Sequence, residues 1–555
     1  MNHLSGMDAS FLHLETPEMP MHVGSLMVLD LPEGYVGDFY ENVKTHVGKR
    51  LHLAKVFQRK LALMPFELAN PVWVDDEDLD IDHHIRHLIV PRPGTREQLE
   101  RLVSRLHSPL LDRSRPLWEM VVIEGLATGQ VAVYTKVHHA AIDGQAGVAL
   151  AAALLDLSAE PRVVKPPRPR RQLNRYQLGV AELATAALGN TVRQYVKLVQ
   201  TLPTTLRAAR SVLLPVDEAT GKRRLALPKG WKLAPRTPIN VAITNQRSFA
   251  TRALPLATLK QLAKASNTSL NDVVMAICAG ALRRYLAEYD CKPDKPLVAG
   301  VPVSLREQGN QDMTNQVSFI MVSLATHIKD PLERLRAIHA SANTGKRVTG
   351  QVKGAIPMDF PSFGAPWLMS GLASLYGRSR LADKIPPVAN VVISNVPGPQ
   401  APLYLAGAKI ATYSPVSIPA HGMALNITVQ SYNGTIEIGL TACRRAMPDV
   451  GDLGDYMIDA AHELAKSIAA AAATAEAPPA AAPPAPKEAP AKTAKAASKP
   501  AAAKKAPAAP AKTRRTTPVR AQRARPATPK TPTASPALAA TTKKPARRRT
   551  AATGA

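Results

Sequence analysis

The stretch "TKVHHAAIDGQAG", Thr135 to Gly147, joins the end of an apolar, strand-like run to the start of an apolar, helix-like one. In a strand successive side chains point to opposite faces. Val131, Val133, Thr135, Val137 and His139 therefore share one face, and Ala132, Tyr134, Lys136 and His138 the other. Packing gives no reason to end such a strand with two histidines. Opposed directions let one ring enter a reaction site while the scaffold holds the other. Asp143 follows across a turn, at a helix start, where the helix dipole favours a carboxylate that can orient its neighbours. Gly144 lets the chain turn with no side chain in the way. A histidine titrating near neutrality can deprotonate a hydroxyl as it attacks a carbonyl. Two other readings of these residues stay open. The histidines and Asp143 could ligate a metal, although opposed faces and the lack of a further ligand cluster argue for none. The pair could also be purely structural. "IDHHIRH", Ile81 to His87, is an internal contrast: it has adjacent histidines without the Asp-Gly turn and reads as a half-exposed strand.

Working outward, "MHVGSLMVLD" and "WEMVVIEGL" read as strands, the second a neighbour of "QVAVYTKVHH". "TREQLERLVSRLHSPLL" reads as an amphipathic helix with a capping box of Thr95 and Gln98. "VALAAALLDL" predicts a buried helix. Residues 1–157 thus form a first α/β half. Residues 158–237 change texture, with a Pro/Arg linker, a helical stretch carrying Lys and Arg, and a second Pro-rich run. They read as a crossover, either packed on the body or lying on a membrane surface. Residues 238–470 predict a second α/β half. Its strands include "RSFATRALPL", "PLVAGVPVSLR", "NQVSFIMVSLAT", "ANVVISNVPGP" and a hairpin turning at Asn433-Gly434. Its helices include "LATLKQLAKAS", a longer one capped by Ser269, and one from Asp449.

The formal net charge of +27 is uneven. Residues 471–555 hold about 18 Lys and Arg against about two Glu. That Ala/Pro/Lys/Arg composition, with no aromatic residue, predicts a disordered tail able to neutralise phosphates of anionic lipid or nucleic acid. Cys278, Cys291 and Cys443 show no metal or CxxC spacing and fit a reducing compartment. There is no basic segment followed by an apolar run at the N-terminus, and no apolar stretch long enough to span a bilayer.

"HHAAIDG" resembles the HHxxxDG signature of coenzyme A-dependent acyltransferases. "DASFLHLETPEMPMHVGSL", "SRPLWEM", "NDVVMAICAGALRRYL" and "SNVPGP", in that order, are similar to the bacterial wax ester synthase/diacylglycerol acyltransferase family over about residues 1–465. The resemblance implies an α/β fold of two chloramphenicol-acetyltransferase-like halves around a channel. It implies an O-acyltransferase moving a long-chain acyl group from acyl-CoA, as co-substrate and with no further cofactor, to diacylglycerol or a fatty alcohol. His139 would be the general base, with no acyl-enzyme. His138 and Asp143 would support it, Gly144 would shape the turn, and Arg306 would pair with Asp143. Asn271 and Asp272 would either line the channel or simply cap their helix. Pro116, Leu117 and Trp118 read as a packing element, "NVPGP" as a channel-shaping turn, Cys278 as inert core, and His421 as structural. The resemblance further implies a cytoplasmic protein at the inner membrane face or on lipid droplets. Two alternatives remain: an acyltransferase with another acceptor, and a non-catalytic tether between lipid and nucleic acid.

Overall fold

Alternation along Val131–His138 is satisfied on both sides by packed layers. The computed structural model describes residues 2–4, 6–62, 70–142, 144–166, 233–304, 317–352 and 380–476. These lie in one compact unit, residues 1–479. The first half contains strands β1 (Asn2–His3), β2 (His22–Asp30), β3 (Arg59–Ala62), β4 (Val72–Asp75), β5 (Ile85–Ile89), β6 (Trp118–Glu124) and β7 (Val131–His138). Its helices are α1 (Gly6–Leu14), α2 (Phe39–Gly48), α3 (Ile81–His84), α4 (Arg96–Leu106) and α5 (Gly144–Leu154). The second half contains β8 (Arg247–Pro255), β9 (Val298–Ser304), β10 (Val317–Ser323), β11 (Val391–Val396), β12 (Tyr404–Leu405), β13 (Ala408–Val416), β14 (Leu425–Tyr432) and β15 (Thr435–Cys443). Its helices are α6 (Leu256–Ala265), α7 (Leu270–Glu288), α8 (Pro331–Val352) and α9 (Val450–Glu476).

Among the described residues, two six-stranded mixed sheets carry the architecture, in the orders β12-β13-β2-β7-β6-β5 and β10-β9-β11-β14-β15-β8. The period-2 reading of β7 separates two cores. Val131, Val133 and Val137 pack with Met27, Trp118, Met120 and Leu154 on the α5 side. Ala132 and Tyr134 pack with Leu99 and Val103 of α4 on the other. The second sheet buries its aliphatic face under α6, α7, α8 and α9. In this layer Cys278 is fully buried, and burial pushes its thiol up to about 12, in keeping with an inert core residue. The capping boxes of Thr95 with Gln98 and of Ser269 with Asp272 are both formed. Asn433 and Gly434 both have positive φ, 41° and 86°, as a tight hairpin turn requires.

The sheets do not divide where the sequence does. β12 and β13 lie beyond residue 400 yet extend the first sheet, with Val416 opposite Gly24 and Lys409 opposite Asp30. A second tie is made by α4: Glu100 accepts hydrogen bonds from the backbone N–H (2.8 Å) and hydroxyl (3.0 Å) of Thr251 on β8. The strand expected at "IDHHIRH" also needs correction. Asp80 accepts from the N–H groups of Asp82 and His83 and caps one helical turn, so pairing begins only at Ile85. His84 is buried, stacks on Trp118 at 4.3 Å and hydrogen-bonds its carbonyl.

Several histidines are buried in the neutral form. His107 Nε2 donates to the Ser417 carbonyl, so Nδ1 accepts from the Tyr134 hydroxyl. Burial pushes its pKa down to about 3 and also lowers those of His22, His46 and His84. The unfolded chain then binds more protons than the native one between the ordinary histidine value of about 6.5 and the depressed values. Stability is complete above that window and is lost as pH falls through it. Melting temperature is therefore expected to decline from pH 7 to 5, before most carboxylates titrate. His107→Gln, which removes one titrating group, should flatten that slope in scans across the range. An unchanged slope would remove His107 from the account.

Candidate active site

Strand β7 delivers its last residue, His138, into a closed set of partners. The backbone N–H of His138 donates to the Leu117 carbonyl, which explains why Leu117 and Trp118 sit fully buried as a packing element. The ring Nδ1 accepts from the Ala140 N–H at 3.0 Å. Nε2 must then carry the proton, and it donates to Glu15 Oε2 at 2.9 Å. This side chain is fully buried and has no capacity left for a substrate.

His139 falls just past the strand, at the start of a one-turn 3-10 helix, His139–Ala141. Its N–H donates to the Met21 carbonyl at 2.8 Å. Its ring stacks on Phe11 of α1, centroids 3.9 Å apart and planes 20° apart. Nδ1 is buried and has no hydrogen-bond partner among the described residues. Burial pushes the imidazole pKa down to about 4, so the ring is neutral at physiological pH. The two rings thus have separate surroundings; alternation governs only His138, and the 3-10 turn, which the sequence reading did not foresee, sets the direction of His139. Gly144 opens α5. Asp143 and Arg306 lie outside the described residues, as do most of the crossover and the basic tail.

Glu15 is the residue that sequence reasoning missed. It follows α1, and its carboxylate is 1% exposed. It accepts from His138, from Arg113 Nη2 at 3.2 Å and from the Met21 N–H at 3.4 Å. Burial acts to raise its pKa, but the hydrogen bond and charge of His138 and the charge of Arg113 outweigh it and hold the carboxyl below its ordinary value. Glu15 and His138 are 123 positions apart, so no spacing rule connects them. In "SFLHLETPEMP" it is one of two carboxylates, and nothing in the sequence separates it from Glu18.

A small, partly open pocket of about 50 Å3 lies beneath α5 against the β6–β7 surface. Its lining is largely apolar, including Met27, Phe57, Met120, Val137, Leu150 and Leu154. Inside it, Ser25 and Thr135 share a 2.7 Å hydroxyl hydrogen bond.

Asn271 and Asp272 are not joined to the histidine pair by any hydrogen bond among the described residues. Asp272 is buried, and its Oδ2 accepts from the Ser269 N–H and hydroxyl and from His339 Nδ1 at 2.7 Å. That is a capping role. Asn271 is half-buried on the first turn of the same helix. His421 is buried, and its Nδ1 accepts from the Ile243 N–H. The Gly398 of "NVPGP" lies where a Cβ would come within 2.1 Å of the Ser431 carbonyl oxygen, so the turn needs glycine there. No cluster of three or more His, Cys, Asp or Glu side chains among the described residues is arranged to hold a metal ion.

Comparison with known proteins identifies the family. The family model "Wax ester synthase/diacylglycerol acyltransferase catalytic domain" matches residues 4–274, and "WS/DGAT C-terminal domain" matches residues 313–465. A protein of Mycobacterium tuberculosis named as a candidate diacylglycerol O-acyltransferase is 37% identical over 468 residues, 84% of this chain and 100% of the relative. The O-acyltransferase WSD of Acinetobacter baylyi is 32% identical over 465 residues, 82% of this chain and 94% of the relative. The solved wax ester synthase/diacylglycerol acyltransferase of Marinobacter aquaeolei is 33% identical, with a TM-score of 0.60, covering 84% of this chain and 100% of that one. The chain belongs to the wax ester synthase/diacylglycerol acyltransferase family.

Proposed function

We propose that the protein transfers a long-chain acyl group from acyl-CoA to the hydroxyl of diacylglycerol or a long-chain alcohol, with His139 as general base. The observation that carries this reading is the contrast within the pair. His138 has both ring nitrogens engaged, whereas His139 stacks on Phe11 and its Nδ1 meets no hydrogen-bond partner among the described residues. With Nδ1 buried, Nε2 is the atom left to meet a substrate hydroxyl. The hydroxyl oxygen attacks the thioester carbonyl as His139 takes its proton. The carbon–sulfur bond then breaks, and the departing CoA thiolate recovers the proton. The products are an ester and free CoA, and no acyl-enzyme forms. Phe11 and the turn fix the ring's direction, Asp143 orients the turn, and Gly144 keeps it open. Asn271 and Asp272 contribute through the start of α7 rather than by touching the reacting atoms. The apolar lining of the small pocket beneath α5 suits hydrocarbon, because burying each CH2 is worth about 0.8 kcal/mol. The test is purified protein with labelled palmitoyl-CoA, offered diacylglycerol and hexadecanol together, with the lipid products separated. Triacylglycerol, wax ester or both are expected. Release of CoA without either ester would overturn the reading.

Such acceptors reside in membranes and lipid droplets, so we place the protein peripherally at such a surface. No helix among the described residues is long and apolar enough to cross a bilayer. The charge in residues 471–555 favours anionic surfaces, whether lipid or nucleic acid. Binding to anionic vesicles and to duplex DNA should weaken steeply with salt in the full chain, because neutralised phosphates release counterions. A chain cut at Ala471 should show a shallower slope. Identical slopes for the two forms, measured over about 50 to 200 mM salt, would mean that the tail binds neither.

A further inference from the structure

The second half holds a cavity whose lining includes none of the residues around the histidine pair. It lies within the helical layer, lined by Gly280, Arg283 and Arg284 of α7, by Lys292 and Lys329 in the adjoining loops, by Arg334 of α8, and by a strip of α9. Its open space is about 670 Å3. Five of its lining residues are cationic, against two acids, Asp459 and Glu463. One of those acids is taken: Asp459 pairs with Arg284 at 2.7 Å, and that guanidinium also lies over the Tyr456 ring. Lys292 and Lys329 are exposed at the rim and have no ion-pair partner among the described residues.

The floor is the unusual part. Arg334 is 3% exposed, and no carboxylate among the described residues pairs with it. Its Nη1 donates to the carbonyls of Ile328 and Lys329. Its Nε is buried with no acceptor, and its Nη2 lies against Gly280. A Cβ at Gly280 would come within 3.1 Å of that nitrogen and 2.9 Å of the Ala460 side chain. The absence of a side chain is what lets the guanidinium lie close to the α7 backbone. Burial lowers the Arg334 pKa first and the charge of Arg283 lowers it further, while the charges of Glu463 and Asp330 offset this only in part, so two guanidinium groups face each other across this site with incomplete compensation. A buried, unpaired cation costs several kcal/mol unless something compensates it. Guanidinium and ammonium groups together suit tetrahedral oxyanions, because Arg offers a fixed fork of donors and Lys a mobile point charge.

We propose that this cavity is a binding site for a phosphate monoester, with Arg283 and Arg334 at its floor and Lys292 and Lys329 at its rim. A dianion offsets the repulsion between the two arginines and supplies acceptors for Nη2 and the lysine ammonium groups. The ligand has two sources of the same chemistry: a soluble phosphorylated compound, or the headgroup of a phosphomonoester lipid.

The experiment uses the full-length protein, its Lys292→Glu/Lys329→Glu variant and Arg334→Met. The first variant alters only exposed side chains and keeps the fold testable if Arg334→Met fails to accumulate. Binding of inorganic phosphate and pyrophosphate is measured by calorimetry at fixed ionic strength. Binding to vesicles of phosphatidylcholine with phosphatidic acid is compared with vesicles in which phosphatidylglycerol replaces the phosphatidic acid. The basic tail is common to all three proteins, so only the difference between them reports on the cavity. The rim variant is expected to lose affinity for the phosphate probes by about tenfold or more, the scale of one or two lost charge-assisted hydrogen bonds. Loss confined to the soluble probes assigns a free ligand. Loss confined to phosphatidic acid vesicles assigns a headgroup. Equal binding by wild type and rim variant in every arm would overturn the proposal. The acyl-transfer assay is run alongside, since the rim residues lie outside the histidine site and turnover at saturating substrate should persist in the rim variant.

Discussion

His139→Ala is expected to lower turnover about 10²–10⁴-fold, the usual worth of a positioned general base, while the protein folds and still binds acyl-CoA. The ring contributes little that alanine would remove from the scaffold. Its ring stacks on the Phe11 face, and its backbone bond to Met21 survives the substitution. His138→Ala is expected to behave differently. It strips a donor from Glu15 and the acceptor from Ala140, so yield and melting temperature should fall together with rate. The pH profile gives a sharper test of His139. Because burial holds its pKa near 4, activity should be lost only as pH falls toward that value, below the ordinary histidine midpoint of about 6.5. The acid limb of kcat/KM reports the free enzyme's base. A limb close to 6.5 would mean that another group, or a more solvated His139, does the work. Near-normal turnover in His139→Ala would reject the assignment altogether.

The parts of this site readable in the sequence are those governed by local rules. Strand alternation placed His138 on the face of Ala132, Tyr134 and Lys136, because the side-chain period of 2 holds up to the last residue of β7, whereas His139 lies in the following turn and takes its surroundings from that turn. The capping box at Thr95 and the cap at Ser269 were readable because each is closed within four residues. "IDHHIRH" was misread for a local reason as well: Asp80, one position before the quoted stretch, is the cap that turns its first residues into a helix. Glu15 and the position of β13 were of another kind. A carboxylate bonded to a histidine 123 positions away leaves no periodic trace. Nor does Ala408–Val416 differ in pattern from the strands of its own half, since a strand reads alike whichever sheet it joins. Tertiary pairing decides both.

The second large effect is expected at Glu15. Alanine there removes the acceptor of three donors at once: His138 Nε2, Arg113 Nη2 and the Met21 N–H. Arg113 is about one-third exposed and can turn to water, and it keeps its bond to the Leu12 carbonyl. His138 cannot, because its ring is fully buried and its proton would face no acceptor. Leaving a buried donor unsatisfied costs about 1–3 kcal/mol, and breaking a buried charged pair adds to that, so a loss of about 3 kcal/mol is expected. Glu15→Gln keeps the shape and one acceptor oxygen. It should retain the His138 bond and lose less, about 1 kcal/mol. The kinetic consequence follows from chain connection. His138 accepts the Ala140 N–H and so pins both ends of the turn that carries His139. A loosened His138 should lower kcat while acyl-CoA affinity stays close to wild type, with partial recovery in Glu15→Gln. Acid stability supplies an independent reading. The Glu15 carboxyl is held below its ordinary value, so its contribution is present above about pH 4.3 and is lost as pH falls through the native value. Glu15→Gln lacks that titration, and its stability curve should be flatter at the acid end. An alanine variant with wild-type melting temperature and wild-type kcat would reduce Glu15 to a bystander, and the alignment of His139 would then have to come from Phe11 and the Met21 backbone alone.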